Sequence, residues 1–301
     1  MSAVAYYPGC ALKSIDLAYD VSSVAVCREL GLSLEEIRGY NCCGIGELKS
    51  DGDVAYVLPT RILALAEGQN LGEVMAPCSV CYGELARAQS VLAQDAARRG
   101  RVNGMLQAAG ERPYTREVKV RHLLEYLYRE AGPEKVAAQV RQPLKGLRVA
   151  PYYGCLYTRP GWFTQAGRDP ALDNPERPHF MADLLDAAGA TVVDHPNQVS
   201  CCGGRNVVQD EEGTALLDYR ILSGAKEEGA QVLALICPKC SGALDINQTK
   251  AIARHGEGAR LPVVYLTQLL GLAFGLGRGQ LRLGDMESGA AALLQASGFR
   301  S

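Results

Sequence analysis

Cys201-Cys202-Gly203-Gly204, followed after 34 residues by Cys237-Pro238-Lys239-Cys240, replays an earlier stretch in which Cys42-Cys43-Gly44 is followed after 34 residues by Cys78-Ser79-Val80-Cys81. One further cysteine precedes each stretch: Cys10, with 31 residues before Cys42, and Cys155, with 45 before Cys201. Two sets of five in one order, with an identical gap, point to an internal duplication. The flanks agree. Ala5-Tyr6-Tyr7-Pro8-Gly9-Cys10 mirrors Pro151-Tyr152-Tyr153-Gly154-Cys155, and a short apolar run enters the CxxC in both halves (Glu73-Val74-Met75-Ala76-Pro77 and Ala234-Leu235-Ile236). The apolar stretches 118–127 and 263–270 occupy equivalent places after it.

A chain of 301 residues suits two domains of about 150 residues, and the repeat divides it into 1–146 and 147–301. Apolar residues at helical spacing predict helices over 14–31 (Ile15, Leu17, Ala18, Val21, Val24, Ala25), 181–189 and 211–229. Runs at 147–150, 191–193 and 231–236 are of strand length. Strand, loop and helix in alternation predict an α/β fold: two pseudo-symmetric duplicated domains, each with a mostly parallel sheet flanked by helices. The cysteines fall where apolar runs give way to Gly or Pro, which puts them on loops at the carboxyl ends of strands, where α/β sites are built. The Pro-containing stretch 132–146 reads as the linker. The long polar stretch 158–178 reads as a surface loop, and the Gly-rich end 275–301 as a docked or partly mobile tail.

Composition excludes several classes. Formal net charge is -2, with no long run of like charges, so neither nucleic acid nor anionic lipid is an expected partner. No segment has the length and apolarity to span a bilayer, and the first residues lack the pattern of a secretory signal. The expected location is the reducing cytoplasm, where eleven cysteines indicate metal or redox chemistry rather than structural disulfides. Cys27, outside the repeat, reads as a small buried hydrophobe in a helix. The four histidines do not recur between halves and are not expected to be ligands.

A tetrahedral zinc site or a cubane [4Fe–4S] cluster needs four thiolates, and each set here offers five. Adjacent cysteines diverge from one backbone step and serve two metals of one centre more easily than one ion. A larger or more open iron–sulfur assembly, or a cubane with a spare cysteine, therefore fits better than zinc, although thiolates also accept zinc in place of iron at one site. Gly44 and Gly203 read as points where the backbone passes close to a bulky group. Arg159, Arg205 and Lys239 lie beside these cysteines in sequence and are candidates for binding an anionic substrate, or equally solvated surface charges.

The order Cys, Cys-Cys-Gly, Cys-x-x-Cys, with Tyr7-Pro8-Gly9-Cys10, Tyr153-Gly154-Cys155, Asp173-Asn174-Pro175-Glu176-Arg177-Pro178, Cys201-Cys202-Gly203-Gly204 and Cys237-Pro238-Lys239-Cys240, resembles the doubled CCG or cysteine-rich domain found in the B subunit of heterodisulfide reductase. That resemblance implies two noncubane [4Fe–4S] clusters, one on Cys10, Cys42, Cys43, Cys78 and Cys81, the other on Cys155, Cys201, Cys202, Cys237 and Cys240. It implies the redox component of an enzyme complex that cleaves or forms disulfide or persulfide sulfur, with two further subunits as partners, one ferredoxin-like and one flavin-bearing. The gap from Cys155 to Cys201 is longer than the family's, with the excess near 162–168. Together with an arginine-rich balance, this tilts the reading toward the bacterial sulfur-oxidising type, whose substrate is sulfur on a lipoate-type carrier. Two other readings stand beside it: an electron-relay component of a lactate, glycolate or succinate oxidoreductase, and a zinc-stabilised interaction module.

Overall fold

Val4–Tyr6 (β1) pairs in parallel with Leu34–Glu36 (β2) on one side and Glu73–Ala76 (β3) on the other; Lys119–His122 (β4) extends the sheet beyond β3. The computed structural model describes residues 3–44, 52–115, 118–159 and 173–299. The second half repeats the first sheet with Arg148–Tyr152 (β5), Thr191–Val192 (β6), Val232–Leu235 (β7) and Val263–Tyr265 (β8). The orders are β2-β1-β3-β4 and β6-β5-β7-β8, every pairing parallel. Registers such as Val74↔Val120 and Leu233↔Val263 align β-branched and apolar residues across buried strands. Strands covered on both faces need such near-continuous apolar runs.

The order reverses between β1 and β3, and between β5 and β7, so each sheet has a switch point at its carboxyl edge. Cys10, Cys42–Cys43 and Cys78 follow β1, β2 and β3, and Cys155, Cys201–Cys202 and Cys237 follow β5, β6 and β7. All six cysteine-bearing loops therefore gather at the two switch points.

The predicted helices form at Leu17–Glu29, Phe180–Ala187 and Glu211–Glu227. The last is capped by Asp210, whose carboxylate accepts from the Gly213 N–H at 2.8 Å. The first departs from its pattern: Ile15 lies outside the helix and is 73% exposed, whereas Ser22 and Ser23 are fully buried. On one side of this helix Asp20 accepts from the Tyr6 hydroxyl of β1 at 2.6 Å, and on another the helix packs on the second half's helix Leu266–Ala273. Ser22 and Thr267 hydroxyls meet there at 2.7 Å, which satisfies groups that an apolar-stripe rule assigns to solvent.

The stretch read as a linker is partly the helix Gly132–Gln139, with Pro133 in its first turn, where the missing N–H costs nothing. It packs on Phe180–Ala187. The tail docks through Leu281, Leu283, Met286, Leu294 and Phe299, all buried. The excess at 162–168, and the part of 158–178 between 160 and 172, lie outside the described residues.

The halves join through aromatic pairs. Tyr19 stacks on Tyr265 at 4.1 Å and 3°, and Tyr128 on Phe180 at 3.8 Å and 6°. Among the described residues, no helix is long and apolar enough to cross a membrane.

Candidate metal-cluster site

All eleven cysteines are free thiols. In the first half, Cys10 Sγ lies 3.6 Å from Cys42 Sγ, and Cys43 Sγ lies 3.7 Å from Cys81 Sγ. Cys81 in turn hydrogen-bonds to Cys78. In the second half Cys155 hydrogen-bonds to Cys201, Cys202 Sγ lies 3.5 Å from Cys240 Sγ, and Cys240 hydrogen-bonds to Cys237. The sets also meet each other, because Cys78 and Cys237 hydrogen-bond across the two halves. With Cys42 also bonded to Cys43, eight thiols form one track from Cys10 to Cys202 and Cys155 and Cys201 form a separate pair. They are exposed at Cys10 and Cys201 and buried at Cys78, Cys81, Cys237 and Cys240. Cys27 stands apart at 0% exposure, and burial alone pushes its thiol up to about 12.

The backbone holds these loops in the same way twice. Tyr7 donates its hydroxyl to Asn41 O at 2.8 Å, and Tyr152 donates to Ser200 O at 2.7 Å, in each case the residue before the Cys-Cys pair. Gly9 (φ +69°) and Gly154 (φ +70°) turn the chain into Cys10 and Cys155. A Cβ on Gly9 would lie 2.9 Å from Cys81 Sγ, and one on Gly154 3.4 Å from Cys240 Sγ. These glycines leave room beside the thiols. Gly203 (φ +70°) serves a packing role as well: its missing Cβ makes room for Thr214, at 2.9 Å.

Donors converge on the sulfurs. The N–H groups of Gly203 and Gly204 point at Cys201 and Cys202 Sγ, both at 3.4 Å. Cys237 caps the turn Pro238–Ser241, whose first N–H groups, at Lys239 and Cys240, reach its sulfur. With thiol donation from Cys240 and Cys78, they hold Cys237 well below the usual thiol range. Cys201 is pulled down to about 6 by the Cys155 thiol, helped by the Gly203 N–H and the Arg205 charge against the effect of burial. Cys78, Cys81 and Cys240 are pushed up, chiefly because each shares its proton with a neighbouring thiol.

A hollow of about 30 Å³ adjoins the second set; all five of its cysteines line it, together with Arg205, Lys239 and, from the first half, Ser79. Arg159 is held elsewhere, by Val199 O at 3.1 Å and Glu176 at 2.8 Å. Among the described residues no three donors are disposed around one point as a single ion requires. The five-thiol arcs, with space at Gly9 and Gly154, match the donor set of an iron–sulfur centre.

Sequence reasoning passed over the residues at the seam. The Tyr19 hydroxyl lies 3.1 Å from both Pro77 O and Ile236 O, the carbonyls leading into the two CxxC turns. His122, fully buried, accepts from Leu124 N–H at 3.1 Å, contacts Ser79 Oγ at 3.2 Å, and is pushed down to about 4 by burial. Tyr265, at the end of β8 as His122 is at the end of β4, hydrogen-bonds Asp16. Hydroxyls and imidazole inside apolar runs look like core residues in a sequence. Their tie to the cysteines appears only when the halves are docked.

Residues 4–86 and 149–245 match the cysteine-rich domain CCG. The chain is 33% identical over 93% of its length to the 8-methylmenaquinol:fumarate reductase membrane anchor subunit of Wolinella succinogenes, covering 94% of that protein. It is 28% identical, over 93% of its length and 92% of the relative's, to the B subunit of a ferredoxin/F420H2-dependent CoB-CoM heterodisulfide reductase of Methanosarcina acetivorans. The solved structure of a hypothetical protein from Helicobacter pylori shares the fold, with a TM-score of 0.72 at 15% identity over 95% of this chain, which spans about half (52%) of that one. Two matched domains, and relatives aligned over nearly their whole length, make the chain a member of the CCG cysteine-rich domain family, related to the B subunit of heterodisulfide reductase.

Proposed function

We propose that Cys10, Cys42, Cys43, Cys78 and Cys81 hold one noncubane [4Fe–4S] cluster and Cys155, Cys201, Cys202, Cys237 and Cys240 a second. The chain is then the sulfur-handling redox component of a complex, cleaving or forming a disulfide or persulfide. Bound there, each cluster supplies one electron at a time and iron with affinity for sulfur. Reducing a disulfide consumes two electrons and two protons and releases two thiols, so two adjacent centres match the stoichiometry. The observation that carries the reading is the meeting of the two sets at Cys78 and Cys237, beside a hollow that opens on the second set. Arg205 and Lys239 supply fixed positive charge to that hollow and suit an anionic sulfur substrate, a carrier-bound lipoyl sulfur included. Electrons arrive from other subunits, one ferredoxin-like and one flavin-bearing.

The Wolinella relative favours a second reading, an electron relay within a quinol-linked complex. EPR of the anaerobically reduced protein, with and without a small disulfide, separates the two. A disulfide that shifts the signal and is consumed supports sulfur chemistry. A signal indifferent to every disulfide and persulfide, in protein that still exchanges electrons with a partner, supports the relay. Stoichiometric zinc without iron or sulfide overturns both.

A further inference from the structure

Asp218 is a buried acid with no task in the chemistry described above. It is 1% exposed, and neither carboxylate oxygen has a hydrogen-bond partner. It lies on the helix Glu211–Glu227, one turn beyond Thr214, which packs against Gly203 and bonds to its carbonyl. Residues four apart share a helix face, so Asp218 is on the side that rests on the Cys201–Cys202–Gly203 loop. Several charged groups around this helix are engaged elsewhere. Lys250 and Arg254 bond to Glu211, Arg260 pairs with Glu257, Lys226 donates to Glu257 O, and Asp245 accepts from the N–H groups of Glu287 and Ser288. His255 contacts the Tyr219 ring. Burial raises the Asp218 carboxyl to about 8, and the negative charge of Cys201 as thiolate adds to that effect. The position has no acidic counterpart in the first half: Asp218 stands 16 residues after Cys202, and 16 residues after Cys43 the chain has Pro59, while the acid raised there by burial and the Cys43 charge is Glu84.

We propose that Asp218 is the proton acceptor coupled to reduction of the centre held by the second cysteine set. The proposal rests on the iron–sulfur reading above. As one electron passes from a low-potential one-electron donor of the viologen class to that centre, oxidising the donor, the Asp218 carboxylate takes one proton from solvent and becomes the carboxylic acid. Negative charge added beside a buried carboxylate favours its protonated form, and the proton cancels the charge the electron brings. Oxidation returns the proton to solvent. Asp218 is a positioning group for charge and touches no substrate.

The test is an EPR-monitored redox titration with viologen mediators between about pH 6 and 10, on the full chain, Asp218→Asn and Asp218→Glu. The signal that vanishes in Cys202→Ala identifies the second-set centre. Its midpoint potential should stay level up to about pH 8, where Asp218 already carries its proton in the oxidised protein, and fall above that, toward the limit of about 59 mV per tenfold change in proton concentration for one electron. Asp218→Asn should flatten the slope and Asp218→Glu restore it, with the slope of the first-set centre the same in all three proteins. A flat native potential, or an unchanged slope in Asp218→Asn, overturns the proposal and leaves the clusters standing; a second set without iron overturns both. Should Asp218→Asn fail to fold, the redox-difference infrared spectrum of the native protein decides. A carboxylic-acid band that grows on reduction supports the role, and its absence overturns it.

Discussion

Asp218 also leaves a mark on stability. Its carboxyl is raised from 3.8 to about 8, so between those values the folded chain keeps a proton that the unfolded chain has released. Stability therefore falls as pH climbs through that window. Denaturant unfolding of metal-free Asp218→Asn should show a stability gain over the native chain that grows from about pH 4 to 8; a pH-independent difference contradicts the burial argument. Cys27 makes the opposite kind of prediction. Cys27→Ser should leave iron content unchanged and cost roughly 1–3 kcal/mol, by burying a hydroxyl without a partner. The ten repeated cysteines and the solitary Cys27 could be told apart in the sequence because spacing is preserved by duplication. Asp218 could not, since an acid in an amphipathic helix looks like a surface charge. The signal that would have found it is the comparison with Pro59 at the matching place.

At the scale of elements, the parallel sheets and the helices around them were legible because each apolar run has one period and ends in Gly or Pro. The exceptions have two causes. The helix Gly132–Gln139 was hidden by Pro133, which breaks a helix interior but opens a helix. The burial of Ser22 was hidden because the helix it meets is over 200 residues away in sequence. The Tyr152 hydroxyl ties β5 to the residue before Cys201. Tyr152→Phe should lower stability by about 1 kcal/mol and speed loss of iron from the second set alone during exposure to a chelator. Equal loss from both sets would show that the hydroxyl does not hold that loop.

Across the whole molecule, the two halves are tied where their CxxC turns begin. Tyr19 belongs to the first half, stacks on Tyr265 of the second and offers one hydroxyl proton to two carbonyls, Pro77 O and Ile236 O. Tyr19→Phe keeps the stack and should cost about 1 kcal/mol. Tyr19→Ala removes it and should cost about 3–5 kcal/mol in thermal or denaturant unfolding, and should weaken the magnetic coupling between the two centres. The docking of the halves was not legible, because the contact depends on how the duplicated sheets face each other. The gathering of the thiols within each set, by contrast, follows from the repeat itself. The central claim is that each set of five thiols holds its own iron–sulfur centre. Iron and acid-labile sulfide per chain, measured on anaerobically isolated native protein and on Cys202→Ala, test it most directly. The expected result is two four-iron centres in the native chain and loss of half the iron and sulfide in the variant, with the other centre's EPR signal unchanged. Full iron in Cys202→Ala, or zinc in place of iron in the native chain, would contradict it.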